Sequence, residues 1–230
     1  MDDPDLVISE IFGPTFQGEG PSLGRRCGFV RLGRCDLACS WCDTPYTWDW
    51  TRHDPAIELT RLGADAVIDQ VRAMNVDRVV VTGGEPLIQQ RALVPLLDRF
   101  AALGWATEIE TAGHHAPTFD PALVDRFNVS PKLAHSGNAE ERRYQPDALR
   151  AFQASGRASF KFVVAEPSDL DEVADIVEAC GLTDIWIMPE GIDAEALAHR
   201  SSVLAEAVLG RGWNLTTRLH VLVWGDRRGV

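Results

Sequence analysis

Between residues 29 and 209, short runs of β-branched and aromatic residues alternate with stretches of helical periodicity, and few folds accept that alternation. Residues 29–32, 78–82, 105–110, 127–130, 160–164 and 185–188 read as six strands. Among them run apolar stripes at helical spacing: Val67, Ile68, Val71 and Met74, then Leu93, Leu96, Leu97, Phe100 and Leu103 with Gly104 behind as the stop. Leu170, Val173, Ile176, Val177 and Cys180 form a third stripe, and a last helix is expected from about residue 193 to 209. The run 78–82 is apolar in succession, as in a strand buried on both faces. Six βα units with short connections predict an α/β fold with a parallel sheet and right-handed crossovers. Six is short of the eight that close a barrel, so the expectation is a partial (β/α)6 TIM-like barrel. Strand-like segments at 7–12 and 215–224 would cover its open side or its edges.

The 230 residues suit one domain better than two. Without low-complexity tracts, repeats or a Gly/Ser linker, the chain is expected to be a single unit over 1–230, with a core of about 25–210 and terminal extensions 1–24 and 211–230 capping the site. The formal charge is −12, from 22 basic and 34 acidic side chains. This argues against broad binding to nucleic acid or anionic membranes, while a local basic pocket could still hold an acidic small molecule. The start, Met1-Asp2-Asp3-Pro4-Asp5, has no basic segment followed by an apolar one, and no run approaches the ~20 apolar residues of a membrane span. A cytoplasmic location is expected. There, clustered thiols more often bind metal than pair.

In such a fold chemistry sits in the loops after the strands. The unusual residues lie there: Cys35, Cys39 and Cys42 after the first strand, Thr82-Gly83-Gly84-Glu85-Pro86 after the second, Glu110-Thr111-Ala112-Gly113 after the third. Ser130-Pro131-Lys132 follows the fourth and Pro189-Glu190-Gly191 the sixth. Thiolates suit both zinc and iron–sulfur clusters. A structural zinc site normally has four protein ligands, and His53, Cys27 and Cys180 stand at no customary zinc spacing. Three thiolates on a four-iron cube leave one iron open, so the C-x3-C-x2-C spacing favours a cluster over zinc.

That motif, with Trp41 before its last cysteine, resembles the signature of the radical S-adenosylmethionine superfamily. The resemblance implies a 4Fe-4S cluster whose open iron takes the cofactor's amine and carboxylate, and a 5′-deoxyadenosyl radical made by one-electron cleavage. Gly83-Gly84-Glu85-Pro86, alone compatible with an ordinary βα turn, looks in this company like the superfamily's amino-group-binding motif. Phe12-Gly13-Pro14-Thr15-Phe16-Gln17-Gly18-Glu19-Gly20, together with Cys42-Asp43-Thr44, then resembles the 7-carboxy-7-deazaguanine synthases, radical enzymes of the queuosine pathway. Similarity runs from about Ser9 to Pro189 and more weakly beyond.

What this resemblance implies is conversion of 6-carboxy-5,6,7,8-tetrahydropterin to 7-carboxy-7-deazaguanine with loss of ammonia, by hydrogen abstraction at C6 and a ring contraction assisted by Mg2+ held by Thr44. It assigns Phe16, Gln17, Gly18, Glu19, Arg31 and Thr82 to substrate, Glu19 reading the amino edge and Arg31 the carboxylate. Trp41, Cys42, Asp43, Gly83, Gly84, Glu85, Glu110, Ser130, Pro131, Lys132, Met188 and Glu190 fall to the cofactor. The radical comes from the cofactor, so no residue is assigned as catalytic. A flavodoxin or ferredoxin as electron donor and a homodimer are also implied.

The segment 214–221 departs from the family's Arg-Leu-Ser-x-Gln-x-His-Lys: His220 is kept, and Val230 is a candidate contact through its carboxylate. Cys27 and Cys180 are expected to be buried, and His114, His115 and His135 to be bystanders, the first two on a surface loop. The competing readings are a glycyl-radical activase or another small radical enzyme, which would not need Thr-Phe-Gln-Gly-Glu-Gly or Thr44, and a non-catalytic iron–sulfur or zinc module.

Overall fold

The computed structural model describes residues 3–230. Six parallel strands form its centre: β2 (Arg26–Leu32), β4 (Arg78–Gly83), β5 (Ala106–Thr111), β6 (Arg126–Val129), β7 (Ala158–Val164) and β8 (Ile185–Pro189), each paired with the next in that order. β1 (Leu6–Phe16) lies antiparallel against β2, and β3 (Thr60–Leu62) antiparallel against β1. β9 (Asn214–Leu215) adds a short parallel strand beside β8. The sheet is open, in the order β3-β1-β2-β4-β5-β6-β7-β8-β9. The amino-terminal segment thus extends an edge of the sheet and does not roof its open side.

The helices are α1 (Pro55–Glu58), α2 (Ala64–Ala73), α3 (Gln90–Ala102), α4 (Glu140–Arg143), α5 (Pro146–Ala154), α6 (Asp169–Cys180), α7 (Ala194–Gly210) and α8 (Leu219–Trp224). The expected stripes point inward except at Leu103, which is exposed where α3 ends: Val67, Ile68 and Val71 of α2, Leu93, Leu96, Leu97 and Phe100 of α3, and Leu170, Val173, Ile176 and Cys180 of α6 are all buried. They meet Val30, Val79, Val81, Ile109, Phe127, Phe160, Phe162 and Ile187 in one apolar core. Burying each of these phenylalanines stabilises the fold by about 1.5–3 kcal/mol before the entropy of ordering it is subtracted. Gly104, at φ +71°, ends α3 as its sequence position predicts.

Two expectations fail. Residues 215–224 read as a strand, yet only Asn214 and Leu215 pair with β8. Thr216 N donates to Ile187 O (2.9 Å) and closes that ladder, and Leu219 N donates to Gly18 O (2.8 Å). Arg218 is held by Glu19 and Asp43, so the chain turns there and continues as α8. Charge pairing at Arg218 overrides the β-propensity of the Val-Leu-Val run. The second difference is α5, a helix between β6 and β7 where the sequence carries no clear helical stripe. Its buried stripe is only Ala148, Leu149 and Phe152, and its best signal is Pro146 in the first turn. No helix is long and apolar enough to cross a membrane among the described residues.

Candidate active site

Alternation along the strands divides the sheet in two. Outward residues such as Val79, Val81, Ile109 and Phe160 belong to the helix-covered core. Inward residues are polar toward the carboxyl ends: Arg31, Thr82, Glu110, Asn128 and Lys161 line one cavity of about 400 Å³. Deeper on the same face, Cys27, Phe29 and Val80 pack as a small apolar floor with Phe12 against it. Burial pushes the Cys27 thiol up to about 12, with Glu108 and Glu110 adding to the shift, so it is an inert core thiol.

The cysteine loop enters this cavity with all three sulfurs, each meeting an N–H donor. Leu37 N lies 3.4 Å from Cys35 Sγ, Asn138 Nδ2 3.3 Å from Cys39 Sγ, and Trp48 Nε1 3.3 Å from Cys42 Sγ. Burial drives the Cys35 thiol up to about 12 and raises that of Cys39, so these groups ionise only when a positive centre takes the proton's place. The ligands of a tetrahedral zinc stand about 3.8 Å apart. These three sulfurs are not gathered within 4.8 Å of one another, whereas a trio elsewhere is. Donor type, spread and N–H···S bonds fit an iron–sulfur cluster.

The loop's base is fixed by glycine. Gly84 N donates to Leu32 O (3.0 Å) and Glu85 N to Arg34 O (2.9 Å). A Cβ on Gly84 would stand 2.0 Å from Arg34 O, and one on Gly83, whose φ is +146°, would stand 2.2 Å from Leu32 O. The paired glycines thus let β4 press against the chain that leads into the cysteines. From the other side, Asn138 Oδ1 accepts from Ala38 N (2.8 Å) and Ser136 O from Ser40 N (2.9 Å).

A chain of charges crosses the cavity. Both oxygens of Glu19 are taken, one by Lys161 and the other by Arg218 Nε at 3.1 Å. Burial alone would raise the Glu19 carboxyl, but Lys161 and Arg218 outweigh it and hold the group far below the usual carboxylate range. Arg218 also bonds Asp43 and Gly191 O (2.9 Å). Glu110 accepts from Gln17 Nε2 (3.0 Å) and Thr82 Oγ1 (2.8 Å). Arg31 gives only Nε to Glu10 (3.0 Å), which leaves the two terminal nitrogens of its fork unclaimed by that carboxylate. Arg228 bonds the same Glu10 and lies 3.8 Å from the centre of the Tyr46 ring. Burial lowers the pKa of His220, whose ring sits so close to Gly18 that a Cβ there would be 2.0 Å from Nδ1.

The residues expected to form the site converge. Phe16, Gln17, Gly18, Glu19, Arg31, Cys35, Cys39, Trp41, Cys42, Asp43, Thr44, Thr82, Gly83, Gly84, Glu110, Ser130, Lys132, Met188, Glu190, His220 and Val230 all line the cavity. Glu85 and Pro131 are not among its lining residues. Glu85 is fully buried, accepting from Leu87 N (3.0 Å), Thr111 Oγ1 (2.7 Å) and Ala112 N (2.8 Å), so it ties β4 to the end of β5. Thr44 opens a 3-10 turn without its hydroxyl capping it, and its Oγ1 instead lies 3.7 Å from Cys42 Sγ. Lys161, Arg218 and Asn128 escaped the sequence reading. For Asn128 and Lys161 the one available signal is a polar residue at an inward position of a buried strand, as with Lys161 between Phe160 and Phe162, whereas Arg218 lies in the turn before α8 and has no such signal.

Each of the three histidines makes defined hydrogen bonds. His135 Nε2 donates to Val163 O (3.1 Å), so Nδ1 accepts from Trp41 Nε1 (3.1 Å) and holds the indole, over which Lys132 Nζ lies 5.4 Å from the ring centre. His114 is buried, against the expected surface loop, and bonds Asp36 together with His115. The reason is Gly113, whose φ of +76° turns the chain back beneath the cysteine loop.

Six parallel strands with three converging cysteines on the loop after the first define an iron–sulfur protein of the radical S-adenosylmethionine class. Residues 16–130 match the family model of the 4Fe-4S single cluster domain. The chain is 37% identical to the 7-carboxy-7-deazaguanine synthase of Pyrobaculum aerophilum, over 98% of both chains. It is 35% identical to that of Halobacterium salinarum, over 98% of this chain and 93% of the relative. The crystal structure of QueE from Escherichia coli superposes with a TM-score of 0.72 at 26% identity, covering 94% of this chain and 95% of that one. Streptococcus suis SuiB bound to S-adenosylmethionine shares the fold, with a TM-score of 0.56 at 15% identity over 83% of this chain and 50% of that one. The chain belongs to the 7-carboxy-7-deazaguanine synthase family.

Proposed function

We propose that the chain works as one radical S-adenosylmethionine domain over residues 1–230 that converts 6-carboxy-5,6,7,8-tetrahydropterin to 7-carboxy-7-deazaguanine. The product is the substrate less one ammonia, so the conversion consumes no net oxidant or reductant. One observation carries the reading: the cavity lined by Cys35, Cys39 and Cys42 is also lined by the fixed charges of Glu19, Arg31, Lys161 and Arg218. Its volume of about 400 Å³ suits small molecules.

A 4Fe-4S cluster and S-adenosylmethionine supply, when bound, the one-electron chemistry that removes hydrogen from carbon C6. The three sulfurs hold the cluster. Trp41, Asp43, Gly83, Gly84, Glu110, Ser130, Lys132, Met188 and Glu190 are the lining groups suited to the cofactor. Arg31 meets the substrate carboxylate with the fork that Glu10 leaves open. Glu19, kept ionised by Lys161 and Arg218, accepts from the amino and ring N–H edge, with Phe16, Gln17, Gly18 and Thr82 around it. His220, held neutral by burial, can accept or donate one further bond, and the carboxylate of Val230 lies within the same lining. Thr44 offers its hydroxyl oxygen to Mg2+, an ion that takes few protein ligands and keeps substrate or water oxygens. A one-electron donor of flavodoxin or ferredoxin type, a homodimer and a cytoplasmic setting complete the reading.

The test is anaerobic reconstitution with iron and sulfide, then incubation with the pterin, S-adenosylmethionine, Mg2+ and dithionite, reading products by mass. The deazaguanine acid is expected. Cleavage of S-adenosylmethionine without that product would move the chain to another small radical enzyme such as an activase. Absence of an iron–sulfur chromophore would leave a binding module.

A further inference from the structure

Where the cysteine loop begins, Asp36 meets a second group of ligand-bearing side chains that the radical chemistry does not use. Asp36 Oδ1 is 2.8 Å from His114 Nε2, and Asp36 Oδ2 is 2.7 Å from His115 Nε2. One ligand atom from each of the three residues fits within 4.8 Å of the others, the only such trio of His, Cys, Asp and Glu among the described residues. The two imidazoles belong to neighbouring residues yet lie 4.2 Å apart, centre to centre, both turned toward one carboxylate. Two nitrogens and a carboxylate suit borderline divalent ions of the zinc class, unlike the all-sulfur loop above.

The buried ring of His114 supplies an independent sign. Its Nδ1 has no hydrogen-bond partner among the described residues, and its nearest charged neighbour is Glu85 Oε2 at 3.9 Å. If Nε2 carries the proton toward Asp36, a bare lone pair on Nδ1 faces a buried carboxylate, which is unfavourable. If Nε2 binds an ion, the proton moves to Nδ1 and points toward Glu85. Metal-binding histidines customarily have a carboxylate behind the ring in this way. The backbone is already set, since Asp36 O accepts from Arg142 and Gly113 carries the turn. Asp36 and His115 keep side-chain exposures of 41% and 36%, so an ion has a path in and room for water ligands.

We propose that Asp36, His114 and His115 form a second metal site, for a borderline divalent ion such as Zn2+, clipping the start of the cysteine loop to the end of β5. This proposal stands apart from the assigned reaction. The experiment uses the reconstituted holoenzyme, in which iron already occupies the three cysteines, exposed to Zn2+ alone and desalted. Metal content by plasma mass spectrometry is expected to give about one zinc per chain with iron unchanged. Zinc absorption spectroscopy should show a nitrogen and oxygen shell near ~2.0–2.1 Å and no sulfur shell near ~2.3 Å. His115→Ala should lose the zinc, as should Asp36→Asn, which preserves a hydrogen-bonding side chain, while His199→Ala on α7 keeps it. Wild-type enzyme without zinc, zinc on sulfur, or zinc retained by both His115→Ala and Asp36→Asn would overturn the site.

Discussion

At the scale of single residues, the site works by leaving some bonds unmade. Arg31 spends one nitrogen on Glu10 and keeps its fork, whereas Glu85 spends its carboxylate wholly on neighbouring chain. Arg31→Ala is therefore expected to raise the pterin KM by about 10–100-fold, since a charge-assisted bond contributes ~1.5–3 kcal/mol. A steady-state KM equal to wild type would remove Arg31 from the substrate's partners. The indole of Trp48 points its N–H at Cys42. Such bonds stabilise the more negative, reduced cluster, so Trp48→Phe should shift the midpoint potential downward in an EPR-monitored redox titration. An unmoved potential would make Trp48 a packing residue. Motifs carried most of this scale in the sequence, because glycine and cysteine spacing is local. Arg218 and Lys161 were hidden because their meaning depends on Glu19, 199 and 142 positions away.

Between elements, the decisive contact is β4 against the approach to the cysteines. Gly84→Ala places a methyl group 2.0 Å from Arg34 O, a clash with backbone that no rotamer relieves. It should destabilise the protein by at least ~1–3 kcal/mol in urea titration and lower the iron retained per chain after reconstitution. Full iron content would show that the loop finds its shape without β4. The strands and long helices were legible here because burial on both faces writes continuous apolar runs, as in Val79-Val80-Val81. The end of the chain was not, since the β-like run around Val221 yields to the bonds that Arg218 and Leu219 make with the amino-terminal loop. α5 was missed because three buried residues make too short a stripe to register as a period.

For the whole molecule, acid is the informative stress. Burial depresses the His220 pKa, so its contribution is present above the unfolded value of ~6.5 and fades as pH falls below it. Glu19, depressed by Lys161 and Arg218 against its burial, contributes fully above ~4.3 and loses that contribution as pH falls further. Urea midpoints should thus decline gently below about pH 6.5 and steeply below about pH 4.5. His220→Gln is expected to remove the gentle phase alone, and a curve that keeps it would assign that phase elsewhere. The division of each strand into an outward aliphatic register and an inward polar one bears on descent as well as on folding. Neighbouring positions answer to separate pressures, so a lineage can retune what it recognises by exchanging every second side chain. The scaffold that secures persistence in the cell is then left untouched, and new substrates are reachable by small, individually tolerable steps.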